Sequence, residues 1–212
     1  MKTKICGITR PEDALAACHA GADALGFNFS RKSPRCITPE QAAAIIVDLP
    51  PFISCTGIFV EHSPAEINEI CSVCRLQVAQ LHAETYTAEK ALAIEGVKRI
   101  RVFRPENDFD TSMVKTFCRE SGVNTVLFDA CRSGLDGGTG ERIENTLALR
   151  IFDALRGFCF AILAGGLNPE NVAEAIQAIR PYAVDTASGV ETAPGIKSPE
   201  KIKAFIAAAK TA

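Results

Sequence analysis

Short apolar, β-branched runs alternate along the chain with longer stretches whose apolar residues recur at helical spacing. The runs predict strands near Lys4–Ile8, Ala24–Phe29, Ser54–Val60, Val78–His82, Arg99–Phe103, Thr125–Asp129, Phe160–Ala164 and Ala183–Thr186, at intervals of roughly 25 residues. The helix starts between them look alike: Thr9-Arg10-Pro11-Glu12, Thr38-Pro39-Glu40-Gln41, Ser63-Pro64-Ala65-Glu66, Asn168-Pro169-Glu170-Asn171 and Ser198-Pro199-Glu200-Lys201. In most of them a side-chain oxygen can cap the helix, Pro fits the first turn because no N–H is needed there, and an acid or amide sits near N3. Val172, Ile176 and Ile179 then share one helix face. Strands alternating with helices argue for parallel pairing through right-handed crossovers. Eight such units in 212 residues favour a closed (β/α)8 barrel, an α/β fold of the TIM type, over the alternative of an open doubly wound sheet. No linker-like or low-complexity segment divides the chain, so residues 1–212 are expected to form a single barrel domain.

Composition narrows the function classes. The formal net charge is −2 without a basic run, so an electrostatic footprint for nucleic acid is missing. No stretch approaches the ~20 apolar residues of a membrane span, and the N-terminus lacks a signal-peptide layout. A cytoplasmic location is expected. Nine cysteines, an odd number set mostly in apolar runs, suit a reducing compartment in which free Cys packs as a small hydrophobe. The pair Cys71-Ser-Val-Cys74 has metal-like spacing but no second pair nearby, so a plain helix-end pair is the favoured reading.

In such a barrel the active site lies at the C-terminal ends of the strands. Polar residues cluster there: Cys6 toward the end of the first strand, Asn28 of the second, Gln80 and His82 of the fourth, Asp129 of the sixth and Asp185 of the eighth. Each has a bland reading as filler, as a satisfied core histidine or as a turn cap. Together they converge on one mouth. The glycines add a second constellation. Gly165-Gly166 follows the seventh strand and Ser188-Gly189 the eighth, where this fold commonly binds phosphate. Asp136-Gly137-Gly138-Thr139-Gly140 suits a loop that closes over substrate. Ser30-Arg31-Lys32-Ser33-Pro34-Arg35 brings positive charge to the same mouth, as a second anionic group on the ligand would require.

Lys4-Ile5-Cys6-Gly7-Ile8-Thr9, Gly26-Phe27-Asn28-Phe29, Ser33-Pro34-Arg35, Gln80-Leu81-His82, Gly137-Gly138-Thr139-Gly140, the run from Ala164 to Val172 and Val184–Glu191 together resemble phosphoribosylanthranilate isomerase over nearly the whole chain. The resemblance implies an Amadori rearrangement in tryptophan biosynthesis, from N-(5-phosphoribosyl)anthranilate to 1-(2-carboxyphenylamino)-1-deoxyribulose 5-phosphate. By similarity Cys6 is the general base and Asp129 the general acid. Arg35 meets the anthranilate carboxylate; Gln80, His82 and Asp185 contact substrate; Gly165, Gly166, Ser188 and Gly189 hold the phosphate. No metal or organic cofactor is implied. The partner is a small phosphosugar, with neither nucleic acid nor membrane, and the chain is expected as a monomer or homodimer. An acid at Asp129 needs a raised pKa, and a thiol works as a base once partly ionised; Lys4, on the same side of its strand as Cys6, is a candidate to assist the thiolate.

Three departures from the family pattern stand out: Ala83 where glycine is frequent, Glu141 where lysine is frequent, and Ala187 in place of a hydroxyl residue. Rival readings are weaker. The histidine-pathway isomerase of this fold wants aspartates ending strands one and five and similar half-barrels. A metal-dependent epimerase wants converging ligands, whereas His19, His62 and His82 are scattered. A non-catalytic phosphate-binding barrel would be marked by loss of Cys6 or Asp129, and both are present.

Overall fold

The computed structural model describes residues 1–129 and 145–212. Eight parallel strands, β1 (Lys2–Cys6), β2 (Ala24–Asn28), β3 (Ser54–Phe59), β4 (Val78–Leu81), β5 (Lys98–Phe103), β6 (Thr125–Phe128), β7 (Phe160–Leu163) and β8 (Ala183–Thr186), close into a barrel in chain order. Helices α1 (Pro11–Ala20), α2 (Pro39–Ile46), α3 (Pro64–Cys74), α4 (Ala88–Leu92), α5 (Thr111–Ser121), α6 (Asn145–Leu155), α7 (Val172–Ile179) and α8 (Pro199–Thr211) surround it. The closed barrel of the sequence analysis is what forms, and the open sheet is set aside. The glycine loop Gly137–Gly140, with Asp136, Glu141 and Cys131, lies outside the described residues.

The Pro-containing helix starts behave largely as their chemistry predicts. Thr38 and Ser63 each close a capping box, with Gln41 and Glu66 reaching back, and Ser198 accepts from the Lys201 N–H. Such caps contribute about 1 kcal/mol each. Two expectations are corrected. β1 runs from Lys2 to Cys6 rather than from Lys4 to Ile8, because Gly7 adopts φ 75° and turns the chain out of the sheet. The seventh helix starts at Val172, not at Asn168. There the Asn168 Oδ1 accepts from the backbone of Glu170 and Asn171, and Asn171 Nδ2 donates to the Gly166 carbonyl. These local bonds hold a turn where a helix would otherwise begin.

Barrel and helices make two apolar layers. The larger cluster lies between strands and helices and includes Ile5, Leu25, Phe27, Phe59, Phe128, Ile176 and Phe205. The smaller, Ile100, Val102, Leu127, Ile162, Ala164 and Ala183, fills the barrel interior along β5 to β8. On the opposite side the interior is polar: Lys4 and Cys6 alternate along β1, Gln80 sits in β4 and Asp185 in β8, and all but Cys6 are buried. The closing β1–β8 pairing sets Lys4 directly opposite Asp185.

Between β8 and α8 lies a small antiparallel hairpin, outside the eight expected strands. After a 3-10 turn at Ser188–Val190, β9 (Glu191–Ala193) pairs with β10 (Ile196–Lys197), and Gly195 makes the turn at φ 80°. The Thr9 hydroxyl donates to the Gly195 carbonyl, tying the hairpin to the β1–α1 loop.

Glycine positions separate backbone freedom from close approach. Gly122 caps α5 at φ 67° with open space around it, so Gly122→Ala is expected to cost about 1 kcal/mol. A Cβ on Gly189 would sit 1.9 Å from the Leu167 carbonyl oxygen, and Gly189→Ala is expected to cost at least ~2–3 kcal/mol by overpacking. Urea unfolding of the two variants checks this; equal losses would show that the β7 and β8 loops are not locked together at Gly189.

Candidate active site

Cys6 ends β1 and remains partly accessible. Its neighbours are set by a missing side chain: a Cβ on Gly26 would lie 2.8 Å from Cys6 Sγ and 3.1 Å from Lys4 Nζ. Gly26 on β2 therefore gives the thiol and the ammonium the space they occupy. Lys4 Nζ donates to Asp185 Oδ1 at 2.9 Å inside the barrel. Burial works against the Lys4 cation, but Asp185 and Cys6 outweigh it and its pKa is raised. Burial pushes the Asp185 carboxyl upward while Lys4 pulls it back. The ammonium–carboxylate form is the one this direct contact favours. For Cys6, burial raises the thiol above its ordinary value, against the opposing pull of Lys4 and Lys197. The resting group is the thiol, and the thiolate is a minor form that the two cations stabilise.

Gln80 and His82 share an inward face as their spacing predicts. The Gln80 side-chain amide lies 2.7 Å from His82 Nε2, and Arg104 approaches His82 Nδ1 at 3.5 Å. Burial, with Arg104, Lys4 and Arg101, lowers the His82 pKa to about 3. The ring is neutral at physiological pH. As placed, Gln80 Nε2 is the atom that faces His82 Nε2, while Arg104, which can only donate, faces Nδ1. In this orientation the buried Gln80 Oε1 has no hydrogen-bond partner. Such an orphan costs roughly 1–3 kcal/mol and is recovered when a ligand's polar group meets it.

Asp129 directly follows β6, partly buried, with its N–H donating to the Phe103 carbonyl at 3.0 Å. It thus stands at the same mouth as Cys6, from the far side of the barrel. Gly165 and Gly166 adopt φ 86° and 63° after β7. Ser188 and Gly189 form the turn after β8, and the Thr186 hydroxyl donates to the Leu167 carbonyl at 2.6 Å, joining the two loops. Asn28, by contrast, serves its own turn, its Oδ1 accepting from the Ser30 N–H.

Arg35 lies in the β2–α2 loop and is buried. Gly7 makes its seat, since a Cβ there would meet Arg35 Cδ at 2.4 Å. Its guanidinium grips Glu191 through Nε at 2.8 Å and Nη2 at 2.7 Å. Lys197 Nζ donates to Glu191 Oε1 at 2.8 Å. Sequence reasoning did not single out Glu191 or Lys197 as site residues. The available local signal was the Pro194-Gly195 turn, which announces a hairpin but not the charges it brings together.

Cys71 and Cys74 are both buried at the end of α3. Burial raises their thiols to about 12 and about 11, as packing residues rather than metal ligands. Among the described residues no His, Cys, Asp and Glu group is arranged to hold a metal ion.

A (β/α)8 barrel whose mouth gathers a thiol, a carboxylate, buried cations and paired glycine loops defines an enzyme class: acid/base chemistry on a small anionic substrate. The comparisons give the particular family. Residues 3–208 match the family model for N-(5'phosphoribosyl)anthranilate (PRA) isomerase. A relative from Chlorobium chlorochromatii named N-(5'-phosphoribosyl)anthranilate isomerase is 63% identical, covering 100% of this chain and 97% of its own. The crystal structure of phosphoribosyl anthranilate isomerase from Thermotoga maritima superposes with a TM-score of 0.89 at 39% identity, over 100% of both chains. A second isomerase structure, in complex with reduced 1-(o-carboxyphenylamino)-1-deoxyribulose 5-phosphate, gives a TM-score of 0.86 at 38% identity, again over 100% of both chains. The chain belongs to the N-(5'-phosphoribosyl)anthranilate isomerase family.

Two measurements check the electrostatics. Lys4→Met removes the nearest cation from Cys6 and is expected to move the pH midpoint of Cys6 alkylation by iodoacetamide upward; an unmoved midpoint would take Lys4 out of the mechanism. His82 ring shifts should stay flat from pH 8 to 5 by NMR. Because the folded pKa lies below the unfolded one, His82 costs stability progressively as pH falls from ~6.5 toward 3. A ring titrating near 6.5 would contradict the buried, neutral histidine.

Proposed function

We propose that this chain isomerises N-(5'-phosphoribosyl)anthranilate to 1-(2-carboxyphenylamino)-1-deoxyribulose 5-phosphate in tryptophan biosynthesis, with residues 1–212 as one barrel domain. The observation that carries the reading is the family match together with Cys6 and Asp129 at one mouth. Asp129 gives its proton to the ribose ring oxygen, and the ring opens to a Schiff base. The Cys6 thiolate then takes the proton from C2, and the enolamine tautomerises to the ketone. In that last step C1 gains a proton and the C2 hydroxyl loses one, which returns Cys6 to the thiolate and Asp129 to the acid, so protons and charge balance over the cycle. Arg35 receives the anthranilate carboxylate, and Gln80, His82 and Asp185 contact the polar groups between the two ends of the substrate. Gly165, Gly166, Ser188 and Gly189 hold the phosphate. Paired glycines at positive φ support that assignment, as do the locked β7 and β8 loops.

The test is turnover of freshly generated phosphoribosylanthranilate, followed by its fluorescence loss. Cys6→Ser and Asp129→Asn are each expected to lower kcat by ~100-fold or more while leaving the fold intact. Turnover surviving Cys6→Ser would keep the reaction and overturn the base. No turnover by the wild type would overturn the reaction itself.

No helix among the described residues is long and apolar enough to cross a membrane, and a cytoplasmic location accords with the biosynthetic role. Of the two expected assemblies, monomer or homodimer, we propose the homodimer. Phe52 in the α2–β3 loop is fully exposed, and its chain neighbours Pro51 and Ile53 line a groove with Ile46, Pro50 and the exposed Val47 and Val73. Apolar exposure of this kind marks contact surfaces, and a solved structure at 37% identity is of monomers generated from a dimeric isomerase of Thermotoga maritima. Light scattering should give twice the chain mass for wild type and the single mass for Phe52→Asp; a wild-type monomer would overturn the dimer.

A further inference from the structure

The hairpin after β8 holds a buried cluster of three charges, Glu191, Lys197 and Arg35. Glu191 and Lys197 are direct partners across β9 and β10, and the Lys197 side chain is completely buried. Glu191 Oε1 accepts from Arg35 Nε at 2.8 Å, from Lys197 Nζ at 2.8 Å and from the Gly195 N–H at 3.3 Å, while Oε2 accepts from Arg35 Nη2 at 2.7 Å. Lys197 Nζ also donates to the Ala187 carbonyl at 3.0 Å, and its backbone N–H donates to Asp13 Oδ2 at 3.0 Å. Asp13 is in turn clamped by Arg10. The hairpin is thus anchored to α1 on one side and to the β8 turn on the other.

A guanidinium has five N–H groups in a fixed plane. Glu191 takes the Nε/Nη2 edge, which fixes both the position and the plane of Arg35 and leaves the Nη1 side without a protein partner among the described residues. Charge makes the second half of the case. Arg35 and Glu191 alone would form a neutral pair with little net pull on a further anion. With Lys197 added, two buried cations share one carboxylate, and the cluster keeps one positive charge. Consistent with this, Arg35 and Lys197 together hold the Glu191 carboxyl below the usual carboxylate range despite its burial.

We infer that Glu191 and Lys197 are positioning residues: Glu191 orients Arg35 so that its open edge meets the substrate carboxylate, and Lys197 restores the positive charge that Glu191 would otherwise cancel. This rests on the assignment of the carboxylate to Arg35. The substrate arm that the device selects is an aromatic carboxylate, so its effect is a specificity for carboxylated over uncarboxylated anilines.

The probes are two stable ligands: reduced 1-(o-carboxyphenylamino)-1-deoxyribulose 5-phosphate, and the same compound lacking the carboxyl group. Kd is measured for each by calorimetry. Glu191→Gln and Lys197→Met are each expected to weaken the carboxylated ligand by about tenfold or more, the loss of roughly one charge-assisted hydrogen bond. The uncarboxylated ligand should bind within about twofold of wild type, which also shows that the variant site is folded. Equal weakening of both ligands, or no weakening of the carboxylated one, in both variants would overturn the inference. Arg35→Gln separates the two levels. If it abolishes carboxylate discrimination while Glu191→Gln and Lys197→Met do not, only the positioning role falls. If Arg35→Gln leaves discrimination intact, the carboxylate assignment falls with it.

Discussion

The site depends on the ion pair that closes the barrel. β1 and β8 are the first and last strands, and their pairing places Lys4 opposite Asp185 in the interior. A buried pair of this kind adds little net stability, because desolvation offsets most of the attraction. Breaking it by removing one partner is another matter, at ~3–5 kcal/mol for an uncompensated buried charge. Its value is therefore local. It holds a cation against Cys6 while leaving the thiol as the group whose ionisation can change.

From that pair the charges extend in one direction. Lys4 and Lys197 both favour the Cys6 thiolate, while Asp185 and burial oppose it. Lys197 leads on to Glu191, and Glu191 to Arg35. The remaining interior, from β5 to β8, is aliphatic. This division gives the mouth a charged side, where an anionic aromatic group and a reactive carbon can be held, and an apolar floor that excludes water. Glycines set the clearances: Gly26 for Cys6 and Lys4, Gly7 for Arg35, Gly189 for the loops after β7 and β8.

Much of this was legible in the chain. Strand and helix alternation follows from local periodicity, and caps such as Thr38 and Ser63 form because their bonds are local. Cys6, Gln80, His82, Asp129 and Asp185 could be found because polar residues at strand ends contradict an apolar core. What could not be read were interactions between distant segments. Nothing near Glu191 signals that Arg35, far earlier in the chain, will meet it. The start of α7 was misplaced for a different reason: Asn168 resembles a cap, but its side chain serves a turn in competition with the helix. β1 was misplaced because Gly7 reads as a neutral strand residue until its positive φ is seen.

In the proposed reaction a minor, cation-stabilised Cys6 thiolate is the base. The most direct measurement is the pH dependence of kcat/KM for the wild type, set beside the pH dependence of Cys6 alkylation in the same buffers. A raised thiol pKa means that the active form grows as pH rises. Both curves are therefore expected to climb on the alkaline side with one shared midpoint. A kcat/KM already level where Cys6 is still protonated would contradict the thiolate base.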